Sequence, residues 1–445
     1  MTASTALSVN QPADKEVVDI EKTSFKNGEV LSQERIRHLE HLLLRNHNDY
    51  SVLYNNGRFH NHSSHLIGSA YLLGGSVTRL DALYDGIVDR DNLEPWKSSP
   101  ARIDVSNQFH YIGLKEYQRA WVESFREQLS GADGWPRWRE VVADILLRGD
   151  AREGGGSATI LHGLFADVGH PLIHLGYAFE LKSPLLATEA LALAATCYNT
   201  QLSSLMSSKS SSSLRSTSDL VELFSWVLND KNLPTFEYPG DDNLPSLLGS
   251  ETHLKTIKTY LYSWNVPDSP SGFLEAQRLA SLALIATSSE VGGQGYDFFL
   301  VHLLTTLHAA QIIVSYLPLQ HHITLLRPWL LVSLLTYITQ NRPRLDSAFV
   351  TAYELNGRDW EFVRKQALEG PHASDAHFVK GCYVLMDAAR TPSGTDSAEQ
   401  AWFLKCAGRF ASEFDGWAGF RLDGPDAEEV AKQREKDGIH VMGRS

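Results

Sequence analysis

Apolar residues recur along this chain at three- and four-residue intervals and almost nowhere in strict alternation, a spacing that predicts helices rather than strands. Ile36, Leu39, Leu42 and Leu43 give an amphipathic helix over Ser32–Arg45, with Ser32 as its N-cap. A loop rich in Asn, Gly and Tyr runs to Phe59-His60-Asn61, and Leu66, Ala70, Tyr71 and Leu73 predict a buried helix over His62–Gly74. Gly, Asp and Pro punctuate Asp81–Arg102, which reads as a long surface connection. Helical period returns over Tyr111–Leu129 and Trp138–Leu147. Gly154-Gly-Gly-Ser breaks the pattern before Thr159–Glu180, an apolar segment holding Pro171. Leu185–Leu205 is rich in Ala and Leu, and the polar run from Ser207 reads as a loop. A helix over Asp219–Leu228 and a loop over Pro234–Pro245 lead into an almost unbroken helical half. Its segments are Phe273–Thr287, Asp297–Leu317, Leu325–Tyr337, Ala348–Asn356, Ala376–Ala389 and Glu399–Phe414.

This pattern predicts an all-α architecture: one large bundle-like domain with long loops, spanning residues 29–425. Residues 1–28 are expected to be a disordered N-terminal segment and 426–445 a polar tail. A length of 445 residues alone would suggest about three domains. Histidine clusters spread over the whole length favour one.

Composition narrows the function. Forty Lys and Arg against fifty-three Asp and Glu leave a net charge of −13, which argues against nucleic acid and against an anionic membrane surface as partners. The stretch up to Lys26 lacks the apolar region of a secretory signal, and the longest apolar runs, such as Trp329–Ile338, fall short of the roughly 20 residues that span a bilayer. Cys197, Cys382 and Cys406 are few, odd in number and far apart, which fits neither a disulfide framework nor a thiolate zinc site and predicts a reducing, cytoplasmic setting. No phosphate loop, nucleophile elbow or dinucleotide fingerprint is present; Gly292-Gly-Gln-Gly lacks both the third glycine and a preceding strand.

Eighteen histidines remain as the unusual feature. Four apolar segments concentrate them: Phe59-His60-Asn61-His62-Ser-Ser-His65, Gly169-His170-Pro171-Leu-Ile-His174, Val301-His302-Leu-Leu-Thr305-Thr306-Leu-His308, and Asp375-Ala-His377-Phe-Val-Lys380. On helices, His62/His65 and His377/Lys380 share faces at i, i+3, and Pro171 suits a first turn that puts His170 at the cap and His174 one turn on. A single histidine in an apolar helix is usually a hydrogen-bonded core residue. His308, His321 and His322 read as structural or exposed, and His38, His41 and His47 as solvated. Four buried clusters converging in one bundle are costly without a common purpose, and a metal is the simplest. Imidazoles alone leave its charge uncompensated; these segments supply no Glu, and Asp375 is the nearest carboxylate. Lys380, if buried, becomes a neutral amine able to take up carbon dioxide, and the resulting carbamate would supply an anionic oxygen. Imidazoles plus one such oxygen suit non-haem iron(II) better than magnesium or calcium.

The same four strings resemble the questin oxidase-like family of fungal polyketide pathways, over roughly Ser32–Gly419, with His-Pro-Leu-Ile-His-Leu-Gly-Tyr the most specific part. The resemblance implies an oxidoreductase that opens an anthraquinone-like ring with dioxygen, in two versions. One is a non-haem iron dioxygenase with four histidines and a carboxylated lysine, here Lys380, as ligands. The other is a Baeyer–Villiger-type monooxygenase that uses NADPH. Ligands would come from His65, His170, His174, His302, His377 and Lys380. Thr305 and one of His60, His62 and His65 would stand just outside them to steer oxygen and protons, His62 as the base that deprotonates a phenolic substrate. Phe59, Tyr71, Tyr177, Phe298 and Phe299 are candidate walls for a flat ligand. A non-catalytic helical binding protein with core histidines is the reading from another class.

Overall fold

In the computed structural model, residues 33–131, 135–148, 160–208, 215–267, 269–288, 295–317, 321–390 and 396–420 are described. The N-terminal segment, the C-terminal tail, the Gly154 breaker and most of the serine run lie outside them. Among these residues the chain is all-α, with four two-residue strands.

The helices are α1 Gln33–Asp49, α2 Ser63–Leu72, α3 Val77–Asp91, α4 Gln118–Ser130, α5 Trp138–Leu147 and α6 Ile160–Gly163. Then come α7 His170–Glu180, α8 Pro184–Thr196, α9 Thr200–Met206, α10 Leu220–Leu228, α11 Leu244–Leu248, α12 Glu251–Ser263 and α13 Ser269–Ile285. The last six are α14 Val301–Val314, α15 His322–Thr339, α16 Ala348–Thr351, α17 Trp360–Glu369, α18 Ala376–Ala388 and α19 Ser397–Glu413. Strands β1 (Leu53–Tyr54) and β2 (Phe59–His60) pair antiparallel, Leu53 opposite His60; β3 (Tyr296–Asp297) and β4 (Trp417–Ala418) pair in parallel.

Four helices form the centre. α7 packs on α14 and on α2, α18 on α2 and on α14, so the four close a ring; α8, α4 and α15 wrap it from outside. The ring is tight because Gly176 meets α14 where a Cβ would stand 2.7 Å from the Cβ of Ala309. α15 is long and apolar enough to cross a membrane by composition, but it is largely buried within this packing.

Several boundaries differ from the sequence expectation. Asp81–Arg102 is not a surface connection: its first half is α3, whose Leu80, Leu83, Tyr84 and Ile87 are buried while its Asp residues and Gly86 mostly face outward. Ser76 caps it by accepting from the Arg79 amide. α12 and α17 lie outside the segments that apolar spacing predicts; each starts on a side-chain cap, Ser250 and Asp359. Thr159–Glu180 is two helices split by a left-handed turn at Asp167, Val168 and Gly169, and Leu185–Leu205 is split before Asn199, which caps α9.

Candidate metal and substrate site

The central helices all begin at one place. Asn61 holds the start of α2 by accepting from the Ser63 amide, and Asp297 holds the approach to α14 by accepting from Phe299 and Leu300. Asp375 caps α18 through the His377 and Phe378 amides and fixes Trp417 through its other oxygen. At α7 the cap is Gly169, not His170, with φ +80° and a Cβ position only 2.2 Å from Thr306 Cγ2, so a side chain there would push α7 off α14. His62, His170, His302 and His377 therefore occupy the cap or first turn of four helices and meet in the middle.

Their geometry is specific. His170 donates Nδ1–H to the Asp167 carbonyl at 2.7 Å, and His302 donates Nδ1–H to the Phe298 carbonyl at 2.8 Å. Both Nε2 atoms are thereby unprotonated in the neutral rings, yet they face each other at 3.3 Å. His62 Nε2 stands 3.1 Å from His170 Nε2, and the His62, His170 and His377 donor atoms lie within 4.8 Å of one another. His377 Nε2 and Lys380 Nζ are buried without a hydrogen-bond partner, and Lys380 is fully buried. Burial, then the Lys380 amine, pushes His62, His302 and His377 well below the usual imidazole range; burial, then His60, does the same to His170. Lone pairs aimed at each other in a dry site repel unless a cation lies between them. The donors thus fit a metal ion, and the backbone carbonyls behind His170 and His302 are the partners that orient metal-binding imidazoles. Burial also brings Lys380 down to about 7, which leaves much of its amine neutral.

His65 and His174 are arranged differently. His65 Nε2 meets His174 Nδ1 at 3.1 Å, His174 Nε2 meets Glu189 Oε2 at 2.8 Å, and Glu189 Oε1 meets His47 Nδ1 at 2.7 Å. A proton on His65 Nε2 satisfies that contact, so this is a hydrogen-bonded line leading away from the cluster. Both nitrogens of His174 are engaged, which leaves it behind His65 rather than among the facing donors. One expectation is corrected here: His47 is buried, not solvated, and it ends a line whose carboxylate, Glu189, lies outside the four histidine segments. Glu189 lies inside an Ala/Leu-rich helix, where a carboxylate surrounded by apolar residues is itself a signal. His47 extends the Leu39, Leu43 stripe by one turn.

Burial would raise the Glu189 carboxyl, but hydrogen bonds from His174 and His47 overcome it and hold the group at about 2, below its ordinary 4.5. A depressed carboxylate stabilises the fold above its unfolded pKa and loses that contribution as pH falls from about 4.5 toward 2. Glu189→Gln should cost about 1.5–3 kcal/mol at neutral pH, the range for hydrogen bonds to a charged group. The difference from the parent chain should shrink below pH 4.5. Denaturation measured across that range checks it; parallel curves at all pH values would count against the line.

A cavity of about 350 Å³ opens onto the cluster. His60, His62, His170 and His377 form part of its lining, and Phe59, Phe165, Phe298 and Phe299 are its aromatic walls. Arg58, Lys115, Asp167 and Asp241 supply charge to the same cavity. Tyr71 and Tyr177, expected as walls, are core residues outside it. Thr305 is also away from this cavity; it shares a much smaller one with Lys380, Tyr177, Glu180 and His308. His308 is buried between Glu180 and Asp387, the structural role expected of it.

A sequence model described as questin oxidase-like matches residues 59–385, the stretch that carries every residue of this cluster. Among curated proteins, the chain is 23% identical to the Baeyer-Villiger monooxygenase dmxR6 of Cryptosporiopsis sp., over 82% of this chain and 84% of that protein. It is 23% identical to the Baeyer-Villiger oxidase AgnL3 of Paecilomyces divaricatus, over 88% and 86% respectively. A questin oxidase of Aspergillus terreus is 22% identical over 70% of this chain and 68% of its own length.

Proposed function

The chain belongs to the questin oxidase-like family and is an oxidoreductase, and on that premise we propose that it is an iron(II)-dependent dioxygenase cleaving a ring carbon–carbon bond of an anthraquinone-like polyketide. Membership in a family of oxidases removes the non-catalytic binding protein from consideration. The observation that carries the iron reading is the pair of unprotonated Nε2 atoms of His170 and His302 facing each other at 3.3 Å. His170, His302, His377 and a carboxylated Lys380 would hold the ion, whose contribution is to activate dioxygen beside the substrate.

The chain's own residues supply the rest. Phe59, Phe298 and Phe299 offer flat apolar surface to a polycyclic ring and keep water from it. His62 is the one imidazole of the central four that is only partly buried, and it lines the cavity. Burial keeps it neutral, free to accept a phenolic proton. Thr305, beside Lys380 in the small cavity, can position the carbamate by hydrogen bonding. A second reading follows from the relatives' names: insertion of one oxygen beside a carbonyl, with NADPH as reductant.

Purified protein should contain about one iron per chain and consume dioxygen with a hydroxyanthraquinone in the absence of NADPH. Dependence on NADPH, with activity indifferent to iron removal, would establish the second reading instead. His62→Ala is expected to keep its iron and lose turnover by about 10²–10⁴-fold, the contribution of a general base. Loss of iron in that variant would move His62, whose Nε2 stands 3.1 Å from that of His170, into the donor set.

A further inference from the structure

A second group of donors lies beside His170. The His60 ring stacks on the His170 ring, 4.2 Å between centroids and 2° from parallel. His60 Nε2 approaches Cys197 Sγ at 3.8 Å and Asp167 Oδ2 at 3.6 Å. The three donor atoms lie within 4.8 Å of one another. Bonds of about 2.0 Å to nitrogen and oxygen and 2.3 Å to sulfur, meeting at tetrahedral angles, put neighbouring donors about 3.3–3.6 Å apart, so the two separations from His60 need to close by only a few tenths of an ångström.

Three features of the surroundings agree. Cys197 is the C-cap of α8, where the negative end of the helix favours a cation. Asp167 is partly exposed and lines the large cavity, so an ion has a way in and a fourth position open to water or ligand. His60 and Cys197 are buried, which holds two donors rigid. The charges facing the group are the Asp167 carboxylate and the Lys115 ammonium, 4.0 Å away, itself exposed and donating to the Gly57 carbonyl.

We propose that His60, Asp167 and Cys197 form a second site, for a thiolate-seeking divalent cation of the zinc class, and that filling it inhibits the enzyme. Binding replaces the Cys197 S–H bond with a metal–sulfur bond and releases one proton to solvent. Inhibition follows from position. The ion sits in the cavity wall beneath the substrate's approach, and it pulls on Asp167, whose carbonyl orients His170.

Cobalt(II) titration of the full-length protein separates this site from the central one, which contains no sulfur. A thiolate-to-cobalt charge-transfer band should grow to one equivalent, be displaced by zinc, survive Cys382→Ser and vanish in Cys197→Ser. Zinc should inhibit dioxygen consumption by the parent protein, and Cys197→Ser should raise the concentration required by roughly 100-fold, the upper end of what losing even an outer partner costs. Asp167→Asn, on the exposed turn, is the second variant should Cys197→Ser fold poorly, and it should weaken the cobalt band's affinity. Absence of the band in the parent protein, its persistence without Cys197, or equal zinc sensitivity in parent and variant would each overturn the proposal. The cobalt-band outcomes need no iron at the central cluster, whereas the zinc-inhibition outcomes rest on the oxygenase activity proposed above, so failure of the two readings can be told apart.

Discussion

Lys380→Met is expected to fold at least as well as the parent chain and to have no measurable oxygenase activity. The two halves of that result have different causes. The amine is fully buried with no hydrogen-bond partner, so replacing it with an apolar side chain of similar volume removes a desolvation cost and leaves packing intact. An ammonium beside an iron would repel it, so the working form must be neutral or carboxylated, and methionine has neither an amine to form a carbamate nor an anionic oxygen to offer. Lys380→Ala should be inactive as well, and small carboxylic acids should restore part of its activity by filling the vacated oxygen position. With the amine at about 7, the reactive neutral fraction falls as pH drops through neutrality, so iron retention should weaken below about pH 7 and when bicarbonate is stripped. Full activity in Lys380→Met, or an Nζ that ends in a bare ammonium beside the ion of an active enzyme, would remove the carbamate.

A contrast between two histidines four residues apart should be nearly as large. His170→Ala deletes one of the two imidazoles whose protons are committed to backbone carbonyls, and it should lower iron affinity by more than about 100-fold, beyond the cost of losing an outer partner. His174→Ala deletes a ring whose nitrogens already serve His65 and Glu189, and it should fall within the 10–100-fold typical of such partners. Metal analysis after dialysis measures both. If His174→Ala empties the site and His170→Ala does not, the centre lies at the His65–His174 pair instead.

The sequence made the histidine layer legible because each residue sits where a helix begins. Pro171 after His170, and Asp375 before His377, mark starts by chemistry that needs no tertiary context. Spacing alone could not say which of two imidazoles one turn apart faces the partner helices, since the i, i+4 rule puts His170 and His174 on a common face. Only the backbone carbonyl under His170 and the carboxylate beyond His174 separate their roles, and Glu189 comes from another helix. α3 was hidden for another reason. Its exposed Asp residues and Gly86 resemble loop composition, and they outweigh four buried residues at helical spacing when the segment is read by content rather than by period.

The donors of the central cluster come from chain segments running from residue 62 to residue 380, so no fragment carries them together. Closing contacts over such separations is slow and entropically costly before it is rewarded. An ion that binds only the closed ring then acts as a late fastening: at a free concentration 100-fold above its dissociation constant it would add about 2.7 kcal/mol to folding stability. Protein made under iron limitation should therefore melt earlier and be cut sooner by proteases, and its abundance in the cell would follow the supply of the metal as well as the expression of the chain.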